Sequence, residues 1–317
     1  SFSALLGVAL PGCATRRPGG KIPGFLPVPI SHADSVVVPP GYTSRLFFAW
    51  GDPISTGPAF KPDASNSADD QAVQAGMHHD GMHFFSLPLG SNNADHGLLV
   101  LNHEYLDQKL LYPDGMATWT PEKLRKAQNG VGVAVIEVMR RDGQWQVIRP
   151  SKYARRITAH TPFSIGGPAA GHALMKTAAD PAGRTVAGTF NNCASGKTPW
   201  GTYLSGEENW AGYFGGGQAL TADQRRWGMR ATAFYRWDQH DERFDAHKHP
   251  NEFHRHGWVV EVDPMDPAST PVKRTALGRA AHEGAWVAVT RDGRAVVYSG
   301  EDARFEYIYK FVSRERI

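Results

Sequence analysis

The sequence has 317 residues, 41% of them hydrophobic and 21% charged, the make-up of a globular chain long enough to bury a sizeable core in one large domain or two smaller ones. Its net charge of +3 comes from 34 basic and 31 acidic residues dispersed among one another, which leaves no basis for a nucleic-acid-binding surface. Punctuation by 34 glycines and 22 prolines leaves few windows long enough for helices, so an all-β, loop-rich protein is expected.

The chain opens on Ser1, and residues 2–12, FSALLGVALPG, read as the apolar tail of an export signal. Leu10-Pro11-Gly12-Cys13 echoes a lipoprotein cleavage site, although Pro11 sits badly in one. Residues 1–36 are expected to be signal remnant and linker, and residues 37–317 the folded domain. No later run is long and apolar enough to span a membrane. Strand-like runs follow at 42–50, 97–102, 131–139, 144–149, 184–191, 233–237, 258–262, 286–290, 295–299 and 307–312. Arg141-Asp142-Gly143 and Arg291-Asp292-Gly293 lie between such runs, and Asp-Gly accepts the positive φ of hairpin turns, so antiparallel meanders are expected. Short helices are expected at 121–127, where Thr120 caps and Pro121 takes the first position, and at 222–227. Neither recurs between strands as a crossover helix would. The recurring hairpins suggest propeller blades of about four strands, and at roughly 40 to 50 residues per blade the chain offers about five or six. Residues 55–77 and 210–228 read as insertions.

The two cysteines, Cys13 and Cys193, lie in unlike contexts. A disulfide between them would tether the signal remnant to the interior, so Cys193 is read as an unpaired thiol, which in an exported protein calls for burial or metal ligation. It ends a strand-like run at Asn191-Asn192-Cys193, and Glu207-Glu208 follows soon after. Adjacent residues of an extended chain point to opposite faces, so one glutamate of the pair can face a given site while the other is solvated or serves a neighbouring metal. Glu283 precedes the strand at 286–290 and Asp302 follows the strand at 295–299, so two acid-bearing turns flank one hairpin. Hard carboxylates gathered from several turns suit Ca²⁺, whereas a thiolate favours iron or zinc. Together they imply a mixed-metal site.

The tract Met77-His78-His79-Asp80-Gly81-Met82-His83 could be a metal tract or a polar loop, and its spacing matches no helix-borne zinc motif. His240, His247, His249, His254 and His256 with their neighbouring aspartates read as a solvated surface. Asn102-His103-Glu104-Tyr105, directly ending an apolar strand, is a candidate pocket wall. Ala194-Ser195-Gly196 lacks the nucleophile elbow of a serine hydrolase, and the glycine-rich residues 166–172 carry no phosphate-binding lysine.

In order along the chain, Gly166-Gly167-Pro168-Ala169-Ala170-Gly171-His172, Asn191-Asn192-Cys193-Ala194, Thr198-Pro199-Trp200-Gly201-Thr202, Glu207-Glu208-Asn209, residues 257–264 (GWVVEVDP) and residues 307–312 (YIYKFV) resemble the PhoX family of secreted bacterial alkaline phosphatases. The likeness runs from Val38-Pro39-Pro40-Gly41-Tyr42 to the end of the chain. It implies a β-propeller, six-bladed in the full-length protein, and a monomeric phosphomonoesterase exported by the twin-arginine route, with two iron ions and several calcium ions. Carried over by position, Cys193 resembles the family's iron-ligand cysteine, and one or both of Glu207 and Glu208, together with Glu283 and Asp302, resemble metal ligands. Family members are much longer, so further metal and phosphate contacts are expected in a part beyond Ile317. Two other readings share this scaffold: a non-catalytic metal-stabilised binding module, and a metal-dependent esterase or lactonase.

Overall fold

A computed structural model describes residues 26–217 and 219–317. Two units divide the chain, Ser1–Leu46 and Phe47–Ile317. In the first, residues 26–46 form no helix or strand and are mostly exposed; the expected export signal, the cleavage-site echo and Cys13 lie outside the described residues. The strand expected at 42–50 does not form, and Tyr42 instead closes a turn by donating its amide to the Pro39 carbonyl.

The second unit is mostly sheet. Its first sheet runs β1 (His79–Ser86), β2 (His96–His103), β3 (Gly132–Arg141) and β4 (Gln144–Val147), with β5 (Arg155–Ile157) also paired to β3, all antiparallel. Side chains alternate across β3, so Val133 and Val135 enter one core while Ala134, Ile136 and Val138 enter another on the opposite face. The β3–β4 connection is the expected Asp-Gly hairpin, with φ of 50° at Asp142 and 73° at Gly143.

The second sheet holds β6 (Pro162–Gly166), β7 (Thr185–Ala187), β8 (Asn192–Lys197), β9 (Tyr203–Glu207), β10 (Val259–Val262) and β11 (Val272–Arg274), in the order β7-β6-β11-β10-β9-β8. The β6–β11 pair is parallel and the others antiparallel. Phe85, Leu98 and Val100 of the first sheet meet Phe163, Tyr203, Val260 and Val262 of the second in one core, where each fully buried aliphatic side chain contributes about 1.5–3 kcal/mol. A third sheet, β12 (His282–Val289), β13 (Arg294–Glu301) and β14 (Ile308–Arg316), packs Ala285 and Val297 onto Leu204 and Val259.

Helices are short. Ser67 and Asp70 form a capping box for α1 (Ala68–Ala72), Asp107 caps α2 (Gln108–Leu111), Thr120 and Pro121 start α3 (Pro121–Asn129), and Thr221 and Gln224 box α4 (Ala222–Arg226). The run at 233–237 is not a strand: Arg236 is left-handed at φ 60°, and the segment delivers Trp237 into an aromatic core with Tyr213, Phe214, Phe244 and Phe253. The run at 184–191 stops after β7 because Gly188, at φ 87°, lies where any Cβ would strike the Ala159 backbone.

Candidate metal centre

Three β-bulges build the centre. In β1, Asp80 and Gly81 together face Asn102 of β2; in β8, Cys193 and Ala194 face Gly206 of β9; in β12, Gly284 and Ala285 face Ser299 of β13. A bulge sets two residues against one and re-aims the side chains around it. The bulged strands also stack closely: a Cβ on Gly81 would lie 2.6 Å from the Ser195 amide, and one on Gly196 would run into the Ala285 carbonyl. Asp80, Cys193 and Glu283, from three different sheets, are thereby brought to one place.

Two overlapping donor groups result, one of Asp80, Glu104 and Cys193, the other of Cys193, Glu208 and Glu283. Within each, one ligand atom per residue lies within 4.8 Å of the others. Cys193 belongs to both, with Sγ 3.8 Å from Glu283 Oε1. Glu104 follows β2 and Glu208 follows β9, and the Glu208 amide is fixed by the Asn191 carbonyl at 2.9 Å. Asp302 follows β13, hangs from the Ala281 carbonyl at 3.1 Å, and shares with Glu208 the wall of a cavity of about 450 Å³.

Crowding of like charge shows in the acids. Burial, then the neighbouring Asp80, pushes Glu104 up to about 7. Burial, then a hydrogen bond with Asp302 and the charges of Glu104 and Glu283, pushes Glu208 up to about 8. Burial and the surrounding carboxylates also raise the Cys193 thiol. The largest charge effects on Glu208 come from other acids, Glu104, Glu283 and Asp302. Hard oxygens and one soft sulfur within coordination reach fit a mixed set of cations.

The sequence reading left one or both of Glu207 and Glu208 as ligands, and the structure separates the two. The Glu207 carboxylate points the other way, fully buried, where Oε1 accepts from Lys273 Nζ at 2.6 Å and Thr189 Oγ1 at 2.8 Å, and Oε2 accepts from the amides of Gly257 and Trp258 at 2.9 and 3.1 Å. Burial alone would raise it, but Lys273 and His256 outweigh burial and bring it to about 2. With four donors in place it has no oxygen to give a metal, and of the Glu207-Glu208 pair the geometry leaves Glu208.

The histidine tracts also resolve. His78 stacks on Tyr105 with ring centroids 3.8 Å apart, and His79 stacks on Phe48 at 5.5 Å, so in that tract the carboxylate of Asp80 is what reaches the donor groups. From His79 on, the tract forms the start of β1 and is not a loop. In the second stretch His247 is exposed, whereas His256 is fully buried and accepts from Lys273 Nζ through Nδ1 at 2.9 Å, contrary to a solvated reading. Thr198-Pro199-Trp200-Gly201-Thr202 is a tight turn pinned to Glu261 by Trp200 Nε1 at 2.8 Å and takes no part in the donor groups. The sequence reading held Asp80 only within a tract that could be metal-binding or a polar loop, and the signal that singles it out is the glycine after it: Asp80-Gly81 and Glu283-Gly284 both mark bulges.

Comparison with known proteins sharpens this picture. The family model described as alkaline phosphatase PhoX matches residues 23–317. The solved structure titled Pseudomonas fluorescens PhoX in complex with vanadate, a transition state analogue, is 50% identical, with a TM-score of 0.90 over 93% of this chain. The match covers 51% of that protein, so the chain spans about half the length of its solved relative. None of the curated proteins matches. With nearly all of its described residues inside both matches, the chain belongs to the PhoX alkaline phosphatase family.

Proposed function

We propose that the protein is an exported alkaline phosphatase that releases inorganic phosphate from small phosphate monoesters at a mixed iron and calcium site. The observation that carries the reading is the pair of donor groups sharing Cys193, in a chain 50% identical to a phosphatase seen with vanadate. Cys193, Glu208 and Glu283 would hold one cation and Asp80, Glu104 and Cys193 another, with Asp302 beside Glu208. The ions, when bound, supply the positive charge that stabilises the transferring phosphoryl group and activates its nucleophile. The chain's own part is to hold five carboxylates and a thiol at strand ends, so that no side-chain nucleophile is needed. Arg226 and Arg230, on the cavity wall with Glu208 and Asp302, stand where they can attract an anionic ester.

The finer points of the proposal rest on the family. They are a six-bladed propeller in the full-length protein, two iron and several calcium ions, a monomeric state and the twin-arginine route. Support for the propeller is three mostly antiparallel sheets whose strand ends meet at one centre, although the second sheet carries a parallel pair that a simple four-stranded blade lacks. No helix among the described residues is long and apolar enough to cross a membrane.

Metal analysis of the purified protein and a phosphate-release assay with and without chelator test the reading. Iron and calcium with chelator-sensitive release are expected; release that persists without either metal would sink it. Cys193→Ser should lose iron while remaining folded, whereas a merely buried thiol would leave the metal content unchanged.

A further inference from the structure

Bulges free ladder carbonyls as well as side chains, and at each of the three bulges a backbone carbonyl accepts from a buried side chain. The Gly81 carbonyl takes the Tyr203 hydroxyl at 2.7 Å, the Cys193 carbonyl takes the Asn102 amide, and the Gly284 carbonyl takes the Ser299 hydroxyl at 2.8 Å. The single Tyr203 proton is shared with Asn102 Oδ1 at 2.9 Å, and the single Ser299 proton is shared between the Gly284 carbonyl and His282 Nδ1 at 2.7 Å, because the His282 Nε2 proton is taken by the Gly278 carbonyl at 2.9 Å. A carbonyl can only accept, so the Asn102 amide nitrogen must face Cys193 and its oxygen must face Tyr203. One continuous set, Gly81–Tyr203–Asn102–Cys193, therefore ties β1, β2, β8 and β9 together directly behind Asp80, Glu104 and Cys193.

Burial makes this set costly to disturb. Asn102 and Tyr203 are both fully buried, and Ser299 nearly so. Water cannot replace a lost bond there without new space. Asn102 and Ser299 are, moreover, the single residues facing their bulges, so each contacts the one place where its strand pair can slip.

We propose that Tyr203, Asn102 and Ser299 are positioning residues that fix the bulges of β1, β8 and β12, and thereby hold Asp80, Cys193 and Glu283 in coordination geometry. The inference rests on the metal-site reading above. None of the three touches a donor atom's ligand position; each acts through the backbone of a donor residue or its neighbour.

The test uses Co²⁺ as the added ion on the metal-stripped protein, reading affinity and the thiolate-to-cobalt absorption alongside thermal unfolding. Tyr203→Phe, Asn102→Asp and Ser299→Ala are compared with Trp200→Phe, which cuts a hydrogen bond outside the centre. Loss of an outer partner should weaken Co²⁺ on the order of 10–100-fold and alter the absorption envelope, with Ser299→Ala acting independently of Tyr203→Phe. Trp200→Phe should move only the unfolding temperature. Wild-type affinity and spectrum in folded Tyr203→Phe and Ser299→Ala would overturn the proposal. If none of the variants folds, the hydroxyls hold the fold rather than the centre, and the proposal likewise falls. Cobalt binding by the parent protein without any thiolate band would instead overturn the metal-site reading itself.

Discussion

Glu207 and Glu208 are neighbours in sequence and opposites in chemistry. The first is buried among Lys273, Thr189 and two backbone amides and is held at about 2; the second is buried among Asp302, Glu104 and Glu283 and is driven to about 8. Both sit at the end of β9, so burial alone does not separate them. What differs is the sign of the neighbours: Glu207 is answered by the protein's own cation, Lys273, whereas the largest charges acting on Glu208 are those of other acids. Around Glu207 the charges continue as a balanced chain, Lys273 to His256 at 2.9 Å and Arg255 to Glu252 at 3.2 Å.

The strongest way to break that comparison is to remove the internal cation. Lys273→Met leaves Glu207 ionised and buried beside a thioether, and should cost about 3–5 kcal/mol in urea unfolding. Adding Glu207→Gln should recover part of the loss, because the stranded charge goes too. A loss below about 1 kcal/mol would mean that Glu207 is not held as an ion. A sharper test exchanges the signs. Glu207→Gln should destabilise the metal-stripped protein by about 1–3 kcal/mol, since Lys273 loses its partner. Glu208→Gln should stabilise the stripped protein slightly, by relieving repulsion, yet weaken metal binding at least about 10-fold. Equal signs in both unfolding experiments would erase the distinction drawn between the two residues.

How far this was legible in the sequence follows from periodicity. The strands β2, β3, β10 and β13 were readable because apolar residues alternate or run through them, and so were the two Asp-Gly hairpins. β1 was not, because HDGMHFFS opens on His, Asp and Gly with a single apolar Met before the next His, and the bulge at Asp80-Gly81 breaks the register that would have revealed the alternation. Cys193, Glu208, Glu283 and Asp302 could be named from residue type at strand ends. Glu207 was named with them, although Tyr203, Ser205 and Glu207 share a face of β9 and Tyr203 belongs to the core on that side. Parity did not decide the pair, because Leu204, on the opposite face with Glu208, packs into a core as well. The partner Lys273 lies 66 residues away, and only the β6–β11–β10–β9 strand order, with a parallel pair in it, brings it near. Distant pairing of that kind leaves no local mark.

The mildest perturbation is pH, and it separates the two carboxylate environments without a mutation. In the stripped protein Glu104 and Glu208 hold their protons up to about 7 and about 8, whereas in the unfolded chain both lose them near the ordinary glutamate value of 4.5. Between those values the folded state binds more protons than the unfolded state, so its stability must fall as pH rises. Below about 4.5 both states are protonated and this penalty is absent. Solvent reaches part of the cluster, so the fall is put at only about 2–4 °C in unfolding temperature, the equivalent of roughly 1 kcal/mol in a unit of this size. With metal bound the slope should reverse, because deprotonation of the same groups favours coordination and affinity rises with pH. Glu207, lowered to about 2, stays ionised in the folded state throughout, and contributes only a small opposite slope near pH 5, where its unfolded form is still partly protonated. Unfolding scans at pH 5, 6.5 and 8 on stripped and loaded protein read both slopes. Parallel slopes in the two forms would mean that Glu104 and Glu208 do not meet the metal.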